Sequence, residues 1–163
     1  MHGKGQPGAL STLALHSRAG LGRGMASILN PYINFDGNAR EALEFYQSVF
    51  GGELNVMTFA DQGGMDLPED EQQKVMHGQL QTPTLTLMCS DAPSHMPRDE
   101  GSNIQISLSG DDEEELTRWF NGLSAGGTVT VPLAKAPWGD SFGMFTDRFG
   151  VAWMTNISGA ATA

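Results

Sequence analysis

At 163 residues, 39% of them hydrophobic, the chain is long enough for one ordinary domain with a real core, or for two small repeated halves packed as one. From Met25 onward nineteen acidic residues stand against six basic ones, a charge that serves solubility, repels phosphate backbones and excludes nucleic acid as an expected partner. The single cysteine, Cys89, excludes an intramolecular disulfide, and no apolar run reaches the ~18 residues that span a membrane.

The first 24 residues are a different material, with six Gly, one Pro, three basic residues and no acid. Their LSTLAL stretch is shorter and more hydroxylated than the apolar centre of a signal peptide, so the cytoplasm is the expected compartment. Met25 stands immediately ahead of the first organised segment. Residues 1–27 are therefore expected to be an extension, flexible or upstream of the true start, with His2 and His16 carrying no chemistry.

ILNPYINF, residues 28–35, alternates as a strand, and DGN then supplies a turn whose Asn38 is placed to cap a helix. From Ala39 to Phe50 apolar residues recur at helical spacing until Gly51 and Gly52 stop the pattern. ELNVMTFA (53–60) reads as a strand, DQGGMDLPEDEQQ as a long loop, and KVMHGQLQ and TLTLMCSD as two antiparallel strands broken around Pro83. Cys89, within the last of these, reads as a packed core thiol.

DAPSHMPRDEGS, with two prolines, reads as a midpoint linker, after which the pattern restarts. NIQISLSG is a strand, DDEEELTRWFNGLSAG a helix with acids in its first turn, and GTVTVPLAKA a strand. WGDSFGMFTD and GVAWMTNI form the last hairpin. Strand, helix and three strands are thus written twice. Each half is expected to have a sheet covered on one face by its helix and concave on the other, and two such sheets make a cup suited to a small molecule.

NAREALEFYQSVFGG and the TDRFGVAW turn resemble the vicinal oxygen chelate superfamily, which includes glyoxalase I, extradiol dioxygenases and bleomycin-resistance binding proteins. PYINFDGNAREALEFYQSVFGGEL, LMCSDA and FGMFTDRFGVAWMTNI are similar to its PhnB-like branch, often labelled 3-demethylubiquinone 3-methyltransferase. The resemblance implies an α+β glyoxalase-like fold: two βαβββ modules, 28–91 and 102–157, forming a cup-shaped, partly open mixed sheet, with 92–101 as linker and 158–163 as tail. It also implies a homodimer, since such cups are often completed across subunits. The methyltransferase label carries no expected activity, because the glycines here form turns and helix stops rather than a phosphate- or nucleoside-binding loop after a parallel strand.

The family's enzymes hold a divalent metal with one His, Glu or Gln from the first and fourth strands of each half. Carried over, those positions fall at Asn30 or Pro31, near Thr86 or Met88, at Asn103 and at Met154, none of them a good ligand for such an ion. No cofactor is therefore expected. Strand alternation turns Tyr32, Asn34, Asn103, Gln105, Ser107 and Met154 toward the cup, with Ile104, Ile106 and Leu108 under the helix.

His77, with Gln79 and Gln81 on its face, reads either as a hydrogen-bonded sheet residue or as a base or ligand of an atypical metal. Trp138 reads as a core aromatic or as a stacking platform at the mouth. Asp91 and Asp140 are the carboxylates nearest the cup, and each alternatively caps a turn. His95, in the linker, is expected to be exposed, and DDEEE (111–115) to be a solvated helix start. The expected function is binding of a small, uncharged organic ligand on a neutral, hydrogen-bonding surface without the standard metal. The alternatives are a glyoxalase- or dioxygenase-type enzyme with an atypical metal, a metal-free site using His77 or Asp140 as general base, and a partner-binding scaffold with no ligand.

Overall fold

The computed structural model describes residues 28–95, 101 and 104–159; the expectations for residues 1–27, for 96–100 of the linker, for Asn103 and for 160–163 of the tail lie outside them. In chain order the elements are β1 (Tyr32–Phe35), α1 (Ala39–Phe50), β2 (Glu53–Thr58), 3-10 turns at Ala60–Asp66 and Glu69–Glu71, β3 (Val75–Gln81) and β4 (Thr86–Asp91). The second repeat follows with β5 (Ile106–Gly110), α2 (Glu113–Ser124), β6 (Thr128–Lys135), β7 (Ser141–Thr146) and β8 (Ala152–Ile157). They form two open four-stranded mixed sheets, ordered β1-β4-β3-β2 and β5-β8-β7-β6. The first strand of each repeat pairs in parallel with the fourth, and the other pairs are antiparallel. No helix among the described residues is long and apolar enough to cross a membrane.

α1 keeps its expected bounds because its periodicity is strong: Ala39, Ala42, Leu43 and Tyr46 are all buried on one face. Gly51 ends it at φ 73°, where its N–H returns to the Gln47 carbonyl at 2.8 Å. The expected cap is corrected, however. Asn38 makes no side-chain cap bond, and the first turn is held from β4, where Asp91 Oδ1 accepts from the Gly37 and Ala39 N–H groups at 2.9 Å each. In the second repeat the cap is local, with Asp112 Oδ1 accepting from the Glu115 N–H at 3.0 Å.

Several strands start later than the sequence suggests, β4 at Thr86 rather than Thr84 and β7 at Ser141 rather than Trp138 among them. β1 begins at Tyr32, not Ile28, and Leu29 is 95% exposed; β5 begins at Ile106, not Asn103. The reason is pairing: the ladders run from Tyr32 opposite Met88 and from Ile106 opposite Trp153, and the described residues before them form no further rungs, although the Pro31 carbonyl still accepts from the Met88 N–H at 3.1 Å. Ile104, expected beneath the helix, is accordingly 78% exposed. β2 likewise ends at Thr58, where Thr58 and Asp61 exchange hydrogen bonds that turn the chain.

The ladders also define which positions of the two repeats match. Ile33, Cys89 and Gly78 lie in one rung, and Leu108, Thr155 and Gly143 in the corresponding rung of the other sheet. The two glycines sit where the helices cross: a Cβ on Gly78 would collide with Leu43, and one on Gly143 would lie 2.8 Å from the Phe120 ring. A side chain at either place would push its helix off the sheet.

Both repeats share one core. Trp153 of the second repeat packs on Tyr46 and Phe50 of α1, with ring centroids 5.8 and 6.0 Å away, and Phe149 packs among Phe35, Phe45 and Tyr46. Tyr46 donates a 2.6 Å hydrogen bond to Asp147 Oδ2, which also accepts from Trp153 Nε1 at 2.9 Å, while Oδ1 takes the N–H groups of Phe149 and Val151. Arg148 lies over the Phe45 ring at 4.1 Å and donates to the Ala125 carbonyl. The DRFG segment is therefore a turn, and also the polar joint between the repeats.

Candidate functional site

On the first sheet, Ile33, Phe35, Leu80, Leu87 and Cys89 face the helix, which leaves the opposite positions of each strand on the uncovered face. Tyr32 stands beside Met88, which stands beside Gln79; Asn34 stands beside Ser90, whose Oγ donates to Asn34 Oδ1 at 3.0 Å. The Tyr32 hydroxyl reaches over β4 to His77 Nδ1 at 3.2 Å, the tautomer of the imidazole deciding which of the two donates. Tyr32, Asn34 and His77 are thus gathered on one face, and the phenol is the partner that His77 lacked in the sequence reading. Tyr32 keeps 46% of its surface exposed, so the pair is open to a ligand.

Beyond this group, Asn34, Ser90 and His95 edge a pocket of about 470 Å³ whose other walls include Phe59, Met65 and Met76. Met76 falls where β3 slips register against β2, between the rungs Met57–His77 and Thr58–Val75. Such a bulge re-aims a side chain, and strand alternation alone does not reveal it. His95 is exposed, as expected, but stands at this rim.

On the second sheet Ser107 stands beside Met154 and Met154 beside Met144, while Ser109, Asn156 and Phe142 make the next row. Trp138 is 63% exposed and meets Phe142 edge-on at 6.0 Å, which places it at the rim rather than in the core. Gln105 is exposed and precedes β5; with Tyr32, Asn34 and Ser107 it lines a groove of about 850 Å³ between β1 and β5. Phe142, Met144 and Ser90 were missed by the sequence reading. Their strand parity was available, but their neighbours depend on a register that only pairing sets.

Two carboxylates considered near the cup are structural in their surroundings. Asp91 is 3% exposed, lies on the helix side, and in addition to its two cap bonds accepts from the Val75 N–H at 2.9 Å. Asp140 accepts from the Gly159 N–H at 2.9 Å and from Asn156 Nδ2 at 3.0 Å, and these bonds hold its carboxyl below the usual range. A carboxylate so stabilised is a weak base. Cys89 is buried against the same region, and burial first, then the Asp91 and Asp147 charges, pushes its thiol up to about 12. Burial and then the neighbouring Asp147 raise the Tyr46 phenol far above its ordinary range.

The register relates two of the positions to which the resemblance carries the metal ligands. Met88 and Met154 match one another across the two repeats, and the side chains abreast of them on the first strands are Tyr32 and Ser107. Two thioethers, a phenol and a hydroxyl do not form a donor set for Zn, Ni, Mn or Fe in their divalent states. No group of three or more His, Cys, Asp or Glu residues converges among the described residues.

Comparison with known proteins agrees with this architecture. The chain is 31% identical over 144 residues to Protein YjdN of Escherichia coli (strain K12), covering 79% of this chain and 94% of that one. The crystal structure of protein PA1353 from Pseudomonas aeruginosa matches at 41% identity with a TM-score of 0.73, covering 83% of this chain and all of that chain. A Bacillus cereus structure described as a putative 3-demethylubiquinone-9 3-methyltransferase, PhnB protein, shares the fold at 21% identity and a TM-score of 0.63, covering 81% of this chain and 100% of its own. With the sequence pattern of the Glyoxalase/Bleomycin resistance protein/Dioxygenase superfamily matching residues 28–155, the chain belongs to that superfamily.

Proposed function

We propose that the protein binds a small, uncharged organic molecule on the uncovered faces of its two sheets, without the divalent metal of the superfamily's enzymes, and that a second copy completes the cup. The observation that supports this reading is the pair of matching positions Met88 and Met154, flanked by Tyr32 and Ser107, a set of side chains that does not suit a divalent ion. The open sheets support the second copy, because β1 and β5 each pair on one side only and each sheet leaves one face without a helix. Tyr32, Asn34, His77, Gln105, Trp138 and Met154 are the residues assigned to ligand contact, with Asn103 assigned on the sequence alone.

Native mass spectrometry of untagged protein from cells tests this reading. A retained organic molecule together with the dimer mass is the expected result. A stoichiometric metal that is lost in His77→Ala would overturn the metal-free part, and a monomer with nothing retained would count against the whole.

The Tyr32–His77 hydrogen bond favours a second reading, in which the imidazole is a general base toward the bound molecule. Turnover that persists in chelator and disappears in His77→Ala would establish it; turnover unaffected by His77→Ala would remove it.

A further inference from the structure

At two matching positions on the uncovered faces the repeats carry opposite chemistry. One step from the paired glycines, His77 in β3 corresponds to Phe142 in β7, and Gln79 corresponds to Met144. Around Met88 the first face therefore presents a phenol, an imidazole and amides, with Tyr32 and His77 already joined. The second presents Phe142, Met144 and Met154, Met144 and Met154 being direct cross-strand neighbours, with Trp138 standing exposed against Phe142 at the rim.

Unbranched, polarisable thioethers mould to a flat ring, and aromatic edges and faces add contacts of the same kind. Amide and phenol groups that must shed water to meet a ligand reject one that returns no hydrogen bond. Among the described residues neither face carries a lysine or arginine, while Glu53, opposite Gln81, and Asp140, bonded to Asn156, put negative charge at their margins. An anionic head would meet no lysine or arginine there, and Glu53 stands at the margin of the face that receives it.

We infer that the ligand is amphiphilic: a flat, apolar ring system seated on Phe142, Met144 and Met154, carrying an uncharged hydrogen-bonding head that meets Tyr32, His77 and Gln79. This rests on the reading that the uncovered faces form the binding site and meet in the assembled cup. The two ends are separable, because they come from different repeats.

Titration of the full-length protein with naphthalene, 2-naphthol and 2-naphthoate at pH 7 tests it, with thermal melts confirming that each variant is folded. 2-Naphthol is expected to bind about tenfold more tightly than either of the other two, the first gap from the hydrogen-bonded head and the second from its lack of charge. Phe142→Ala should weaken naphthalene and 2-naphthol alike, and Phe142→Leu should retain most of the affinity if the variant lacking the ring packs poorly. Gln79→Ala should bring 2-naphthol down to the affinity of naphthalene and leave naphthalene unchanged. 2-Naphthoate binding as tightly as 2-naphthol, or Gln79→Ala weakening all three equally, would overturn the inference. If none of the probes binds while an organic molecule is retained from cells, the ligand class assigned here is wrong and the binding function stands. If nothing is retained either, both fall.

Discussion

Tyr46 and Asp147, 101 residues apart, are joined by a buried 2.6 Å hydrogen bond that ties the helix of the first repeat to the last hairpin of the second. Among the described residues the carboxylate has four donors, and its ring-bearing donors Tyr46 and Trp153 pack against each other. Tyr46→Phe removes one charge-assisted bond and is expected to cost about 1.5–3 kcal/mol of unfolding free energy in urea titration. Asp147→Asn is expected to cost more, because its amide must aim a donor at groups that already donate. Equal stability of wild type and both variants would show that the joint contributes nothing.

Asp91 performs the capping for which Asn38 is positioned in sequence. Asp91→Ala strips two buried N–H groups and one half-buried one of their acceptor and is expected to destabilise the fold by about 2 kcal/mol or more, whereas Asn38→Ala should change it by no more than about 0.5 kcal/mol. Chemical denaturation of the two variants side by side decides the matter; the reverse order of effects would return the cap to Asn38.

Glu71 ties the loop after β2 to the start of the linker. Its Oε1 accepts from the Ser94 hydroxyl, from the Ser94 N–H at 3.0 Å and from Lys74 Nζ at 3.2 Å, which lowers its carboxyl from the usual 4.5 to about 2. A depressed folded value stabilises the protein above the unfolded value, and that stabilisation is lost as pH falls from about 4.5 toward 2. The melting-temperature difference between wild type and Glu71→Gln should therefore be constant above about pH 5 and shrink toward zero near pH 2. A difference that grows on acidification would contradict the assignment.

With its thiol pushed up to about 12 and its side chain fully enclosed, Cys89 should resist iodoacetamide at pH 8 in the native protein and react promptly once denatured. Rapid alkylation of the folded chain would mean that the sheet opens at β4.

Thr155 occupies the rung that matches Cys89, and its buried Oγ1 is without a hydrogen-bond partner among the described residues. Thr155→Val keeps the shape and removes the hydroxyl, so a gain of about 1 kcal/mol is expected in the same denaturation assay. A loss of comparable size would reveal a partner for the hydroxyl.

How far the chain alone determines the protein follows from the range of each interaction. Periodicity acts over one helical turn or one strand step, so the bounds of α1, the parity that sets Tyr32 and Asn34 against Ile33 and Phe35, and the repeated order of elements were all readable residue by residue. The motifs at the FY helix and the DRFG turn sufficed for the superfamily, because each is a local solution to a helix end or a hairpin. Strand starts at Tyr32 and Ile106 were not readable: they are set where β4 and β8 supply partners. The assembled sheets alone decided that Asp91 rather than Asn38 caps α1, that Asp147 gathers donors from both repeats, and that Met88 matches Met154. Each of these depends on which backbone lies alongside which, a property of register and packing that no local pattern encodes.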